Sequence, residues 1–181
     1  VNNSRMKSYP GGFLMFSWSG SAKTMRGRSA PFIVCDEVDG YDKSHEGHPV
    51  SLLWQRAATF GDRRKLLEIS TPTIKGASWI ESAFDAGDQR YFHVPCVHCA
   101  HEQKLEWKNV IWDEDKPETA KYACEGCGSL WSDGERIAAI RAGKWIASKP
   151  FKGHASYHLN EMYSCFRKLG DIAQSFLEKK H

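Results

Sequence analysis

Four cysteines stand in two short pairs, Cys96-Val-His-Cys99 and Cys124-Glu-Gly-Cys127, separated by 24 residues. Two residues between thiolates let one tight turn aim both sulfurs at a single ion. Two such turns complete a tetrahedral thiolate set, with metal–sulfur bonds of about 2.3 Å for Zn2+. Gly126 and Gly128 around the second pair suit the positive φ that such turns demand. With Cys96, Cys99, Cys124 and Cys127 as ligands the site has no open position, so the chemistry it implies is structural. Two disulfides, a redox Cys-x-x-Cys, or a site in which His98 or His101 replaces a thiolate also satisfy the spacing. The other cysteines, Cys35 in an apolar run and Cys165 in an amphipathic stretch, read as small buried hydrophobes.

A second constellation lies earlier in the chain. Phe32-Ile33-Val34-Cys35-Asp36-Glu37 has the form of a Walker B segment, an apolar strand ending in two acids. A buried strand can deliver the first acid, Asp36, to Mg2+, while the second, Glu37, orients or deprotonates the water that attacks a γ-phosphate. Many buried strands end in two acids, so the pattern is weak alone. Leu66-Leu67-Glu68-Ile69-Ser70-Thr71-Pro72-Thr73 strengthens it. In translocase ATPases the strand beside the Walker B strand often ends in hydroxyl residues that sense the phosphate, and Ser70, Thr71 and Thr73 stand there; an ordinary Ser-Thr-Pro strand stop fits the same residues. Ser17-Trp-Ser-Gly-Ser-Ala22-Lys23-Thr24 aligns with the phosphate-loop pattern, but Ser17 and Ala22 occupy both glycine positions, and the seven residues between Lys23 and Pro31 leave no room for the helix that should follow. A metal-dependent hydrolase built on Asp36, Glu37, Asp39, His45 and His48 is a third way to read these residues.

The elements that must position both constellations follow from periodicity. Residues 13–18 and 31–35 read as strands, 49–60 as a helix opened by Pro49 and closed by Gly61, and 65–70 as a strand. Residue 31–35, apolar on both faces, predicts an α/β parallel sheet covered by helices. A helix is expected over 78–86, short strands over 91–132, and helices over 133–147 and 171–180. The short-stranded module has too little apolar sequence for a core of its own.

Composition sets the outer limits. The chain has 181 residues, 41% hydrophobic and 26% charged, with a net charge of +3, which suits a soluble domain and excludes disorder. No apolar run reaches the ~18 residues of a membrane span, the polar start is no signal peptide, and paired cysteines without a leader point to a reducing cytosol. The first 35 residues hold Arg5, Lys7, Lys23, Arg26 and Arg28 and no acid, a local excess that can meet phosphates. The start, without Met and leading at once into strand, reads as the interior of something longer.

Taken in order, GSAKTMRGRSAPFIVCDEVDGYD, LLEISTPTIKGASWIESAFDAGDQRYFHVPCVHC, YACEGCGSLW and GHASYHLNEMYS resemble the large terminase subunits of tailed phages, of the lambda-like type, over about Gly11 to Leu177. The resemblance implies a DNA-packaging motor: a RecA-like ATPase that drives double-stranded DNA into a procapsid, followed by a nuclease. It implies Asp36 as the Mg2+-binding aspartate and Glu37 as the catalytic glutamate, with Ser70, Thr71 and Thr73 as the coupling motif. Arg26 and Arg28 would face ATP or DNA, and the four cysteines would form a zinc ribbon. The expected spans are 1–90 for the later part of the ATPase, 91–132 for the ribbon and 133–181 for a helical linker toward the nuclease. In the family's order the Walker A half precedes Val1 and the nuclease carboxylates follow His181, so the chain alone is expected to lack ATPase and nuclease activity. The implied partners are double-stranded DNA, the small subunit and the portal, in the cytoplasm of a bacterial host. The competing reading is a free-standing zinc-ribbon module that binds nucleic acid through Arg26, Arg28, Trp107 and Trp112.

Overall fold

A computed structural model describes residues 3–20, 29–42, 45 and 47–180. Arg26 and Arg28, and the Ala22-Lys23-Thr24 end of the degenerate phosphate loop, lie outside the described residues. The chain divides into two compact units, Val1–Ala83 and Phe84–His181, where the sequence suggested three spans.

In the first unit β1 (Met6–Tyr9) and β2 (Gly12–Met15) form an antiparallel hairpin. The strand expected at 13–18 thus pairs only with its neighbour across the Pro10–Gly11 turn, and does not join the parallel strands. Those are β3 (Phe32–Asp36) and β4 (Lys65–Ile69), in register from Phe32 opposite Lys65 to Asp36 opposite Ile69. Parallel strands need a crossover, and α1 (Pro49–Arg56) lies within it. His48 caps α1, accepting from the Val50 N–H at 3.4 Å, and Pro49 occupies the first helical turn, where its missing N–H costs nothing. The helix stops at Arg56, short of the expected Phe60, and gives way to a 3-10 stretch bent at Gly61 (φ 53°).

Cys35, Val38 and Val50 form the buried centre of this unit, with Ile33, Leu53, Leu66, Trp79 and Ile80 packed around them. Only one face of the β3–β4 pair is covered by the described residues: Phe32, Val34, Leu67 and Ile69 alternate onto the other face at 46–68% exposure. The two-sided covering expected from the apolar run is therefore met on one side. α2 (Trp79–Ala86) follows and ends in the second unit.

The second unit is built on β5 (Arg90–Pro95), which pairs antiparallel with β6 (Glu102–Lys104) and β10 (Lys144–Ala147) and parallel with β11 (Tyr157–His158). A second sheet joins β7 (Val110–Asp113), β8 (Lys116–Ala123) and β9 (Leu130–Trp131), all antiparallel. α3 (Asp133–Arg141) starts in a capping box, Ser132 and Glu135 each bonding the other's backbone N–H. Residues 144–147, expected to continue that helix, form β10 instead. Gly143 makes the change of direction possible, since a Cβ there would sit 2.7 Å from the His93 carbonyl.

α4 (Leu169–Lys180) lies directly on β8; a Cβ at Gly170 would fall 2.9 Å from the Glu118 Cα. One core runs through Val94, Leu105, Tyr122, Trp131, Leu169 and Ile172, so the cysteine module and the helices after it share a hydrophobic interior. A strand-rich segment of this length cannot bury enough surface alone, and α4 supplies what it lacks. The expected 133–181 linker is thus part of this unit's core. Cys165 is exposed, contrary to its expected burial. Among the described residues no helix is long and apolar enough to cross a membrane.

Candidate functional site

The first candidate site sits where β3 and β4 end together. Parallel strands present their carboxyl ends to ligands because the backbone opens there, and the register sets Asp36 beside Ile69. Asp36 and Glu37 are both exposed. Glu37 adopts a left-handed backbone, φ 55° and ψ 47°, which is uncommon for a residue with a side chain and costs about 1 kcal/mol. Such conformations persist where the surroundings impose them.

The surroundings here are organised by Asp39, which sequence reasoning placed only in a hydrolase alternative. Its carboxylate accepts from the Thr73 N–H at 2.9 Å, the Thr73 hydroxyl at 3.1 Å and the Ile80 N–H at 2.8 Å. Its own N–H donates to the Ser70 hydroxyl at 3.2 Å. Burial works to raise the Asp39 carboxyl, but hydrogen bonds from Ile80, Ser78 and Thr73 outweigh it and bring the pKa down to about 2. Asp39 therefore ties the turn after Glu37 to Ser70 and Thr73 and to the start of α2. Thr71 is exposed, its carbonyl accepting from the Ser70 hydroxyl at 3.3 Å.

Of the hydrolase alternative's two histidines, His45 is exposed and His48 is taken up by packing. His48 is buried and stacked on Trp79, ring centroids 3.7 Å apart and nearly parallel, besides capping α1. Cys35 is also inert: burial first, and then the Glu68 carboxylate, push its thiol up to about 11.

The second site is the cysteine quartet. All four sulfurs lie within 4.8 Å of one another, with Cys96–Cys127 at 3.9 Å and Cys99–Cys124 at 3.8 Å. Metal–sulfur bonds of about 2.3 Å in a tetrahedron place sulfurs roughly 3.8 Å apart, so the donor set fits a tetrahedral thiophilic ion. A disulfide needs about 2.05 Å, and all the cysteines are free.

The two turns are built alike. Cys96 and Cys124 accept through their carbonyls from Ala100 and Gly128, each at 2.9 Å, and both donors have positive φ, 60° and 71°. The His98 and Gly126 N–H groups point at the Cys96 and Cys124 sulfurs, at 3.4 and 3.3 Å. Gly126 itself has no positive φ; it is held to glycine by the His101 ring, 2.7 Å from where a Cβ would sit. His98 Nε2 pairs with Glu135 at 3.0 Å, and the four clustered donor atoms are the cysteine sulfurs. Gln103 Nε2, in the buried sheet, donates to the Cys124 sulfur at 3.3 Å. Second-layer donors of this kind orient thiolate ligands.

Trp107 and Trp112, which only the competing nucleic-acid-binding reading uses as stacking residues, pack against the core. Trp107 lies 5.9 Å from Trp112 and 4.9 Å from Phe176.

Residues 1–145 match the family model described as phage terminase large subunit gpA, ATPase domain. The chain is 30% identical over 162 residues to the large terminase subunit of Enterobacteria phage P21, covering 80% of the chain and 24% of that protein. It is 30% identical over 141 residues to the large terminase subunit of Escherichia phage lambda, covering 68% of the chain and 21% of that protein. The chain thus spans about a quarter of the length of these relatives. No solved structure matches it. The match over most of its residues shows that the chain belongs to the phage terminase large subunit gpA family, with residues 1–145 matching its ATPase domain.

Proposed function

We propose that this chain is the nucleotide-facing and coupling part of a RecA-like DNA-packaging ATPase, followed by a zinc ribbon. The observation that carries the reading is the shared carboxyl end of β3 and β4, where Asp36 and Glu37 stand beside a hydroxyl segment that Asp39 ties to them.

In this reading Asp36 would hold Mg2+ with ATP, and Glu37 would take the proton of the attacking water. The metal supplies charge stabilisation on the phosphates. Thr73 and Ser70, bonded to Asp39, carry loss of the γ-phosphate to α2, whose start Asp39 also holds. Arg26 and Arg28 face nucleotide or DNA. Cys96, Cys99, Cys124 and Cys127 hold a structural Zn2+. In the complete protein the partners are double-stranded DNA, the small subunit and the portal of the procapsid in the host cytoplasm, and a nuclease cuts the packaged DNA. The chain has no intact phosphate loop, Ser17 and Ala22 standing at its glycine positions, so the 181 residues alone are expected not to hydrolyse ATP.

The test is a graft. Replacing the corresponding span of the lambda large subunit by these residues should leave a subunit that packages DNA in a reconstituted reaction. The same graft carrying Asp36→Ala should not. Packaging that survives Asp36→Ala would refute the assignment.

A further inference from the structure

We propose that the face of the second unit formed by Trp145 on β10, Tyr157 on β11 and Phe151 in the loop between them is a stacking surface for single-stranded nucleic acid. The three rings are 37%, 51% and 60% exposed, although the core of this unit has other aromatics in plenty. They are organised around one cation. Arg90, on β5, donates through Nε and Nη2 to Asp88 at 2.8 and 2.7 Å, and Asp88 is fully buried and also accepts from the Ser156 N–H at 3.0 Å. The guanidinium plane is thereby fixed. Its remaining Nη1 donates to the Tyr157 hydroxyl at 3.0 Å, and its carbon lies 5.2 Å from the Tyr157 ring and 5.9 Å from that of Phe151. Trp145 stands edge-to-face with Tyr157 at 4.9 Å.

Exposed rings grouped beside a pinned guanidinium are the kind of surface on which unpaired bases stack. The charge is complementary to a phosphodiester backbone. Residues 137–160 contain Arg141, Lys144, Lys149 and Lys152 and no carboxylate, Lys144 being paired with Glu102 from β6. Lys149, Lys152 and His154, together with Asp85, line a concavity of about 220 Å3. In a duplex the base faces are already stacked on one another, so the rings favour a single strand. The surface uses no residue of the Asp36–Thr73 site, so the two assignments stand or fall separately.

The test uses the 181-residue chain purified with zinc, titrated into a labelled 20-nucleotide oligo-dT and followed by anisotropy. Binding should weaken with salt, with a log–log slope near −0.7 per phosphate contacted. Tyr157→Ala and Phe151→Ala should each weaken it roughly 5- to 100-fold. Lys149→Glu with Lys152→Glu should flatten the slope, and a duplex of equal length should bind at least tenfold more weakly. An oligo-U arm tells RNA from DNA as the preferred strand. Absence of binding, equal affinity for the duplex, or ring variants that bind like wild type would overturn the proposal. Phe151→Ala, at an exposed loop position, keeps the test valid if Tyr157→Ala perturbs the sheet.

Discussion

The Asp39 carboxylate holds Thr73 by both its backbone N–H, at 2.9 Å, and its hydroxyl, at 3.1 Å, across 34 residues of sequence. That contact joins the turn after β3 to the segment after β4, and it gives the shared strand end a fixed shape. A third bond, from the Ile80 N–H, extends the link to α2.

Removing the carboxylate should loosen this corner. Asp39→Ala is expected to destabilise the first unit by about 1–2 kcal/mol, a value reduced for its partial exposure, as a shift of the urea midpoint. The pKa near 2 lies below the ordinary unfolded value of about 3.9. The stabilisation is therefore complete above about pH 4 and is lost as pH falls toward 2. Acid unfolding of Asp39→Asn should lack that component; an unchanged acid profile would separate Asp39 from it.

Metal removal should act on the second unit. Cys96 and Cys124 belong both to the sulfur quartet and to the hydrophobic core that includes Trp131, and metal binding in such modules supplies folding free energy. One zinc per chain is expected by elemental analysis. Chelation should abolish the near-UV circular dichroism of the core aromatics, and Cys124→Ser should do the same without chelator.

The matched turns make a paired prediction with opposite signs. Gly128→Ala puts a side chain at φ 71° and should cost about 1–2 kcal/mol, whereas Ala100→Gly relieves the same strain at φ 60°. The second change should raise the melting temperature and the first lower it. Equal signs would mean that the two turns are not equivalent.

Arg136 is fully buried in α3, bonded to Asp133 at 2.9 Å and to the carbonyls of Ser164 and Arg167 at 2.8 and 2.7 Å. Arg136→Ala takes the donor from the Ser164 and Arg167 carbonyls, while Asp133 keeps the Leu169 N–H at 3.1 Å, and should cost about 3 kcal/mol. Arg136→Lys should rescue little, because one ammonium cannot replace the planar fork. Chemical denaturation followed by tryptophan fluorescence checks both.

What the sequence made legible was local. The cysteine quartet follows from Cys-x-x-Cys spacing, and β3 and β4 follow from apolar runs ending in acids or hydroxyls. Asp39 was legible only as a third acid near Asp36, because its partners lie 34 and 41 residues away and no periodicity links them. Arg136 was hidden for the same reason: a charged residue on a helix ordinarily faces water, and only the returning 162–167 segment buries it. What covers Trp107 was not legible, because its partner Phe176 comes 69 residues later on α4. The β10 strand was missed because Lys144–Ala147 continues a helical pattern, and the reversal depends on the close approach of Gly143 to β5.

In the proposed motor, Glu37 activates water for ATP hydrolysis. The most direct measurement is Mg2+-dependent ATP turnover by the lambda large subunit carrying this chain in place of its corresponding span. Turnover is expected in the graft, with a loss of about 100-fold or more in Glu37→Gln, the usual contribution of a positioned general base, and with nucleotide binding retained. Turnover in Glu37→Gln equal to that of the unmodified graft would contradict that role of Glu37.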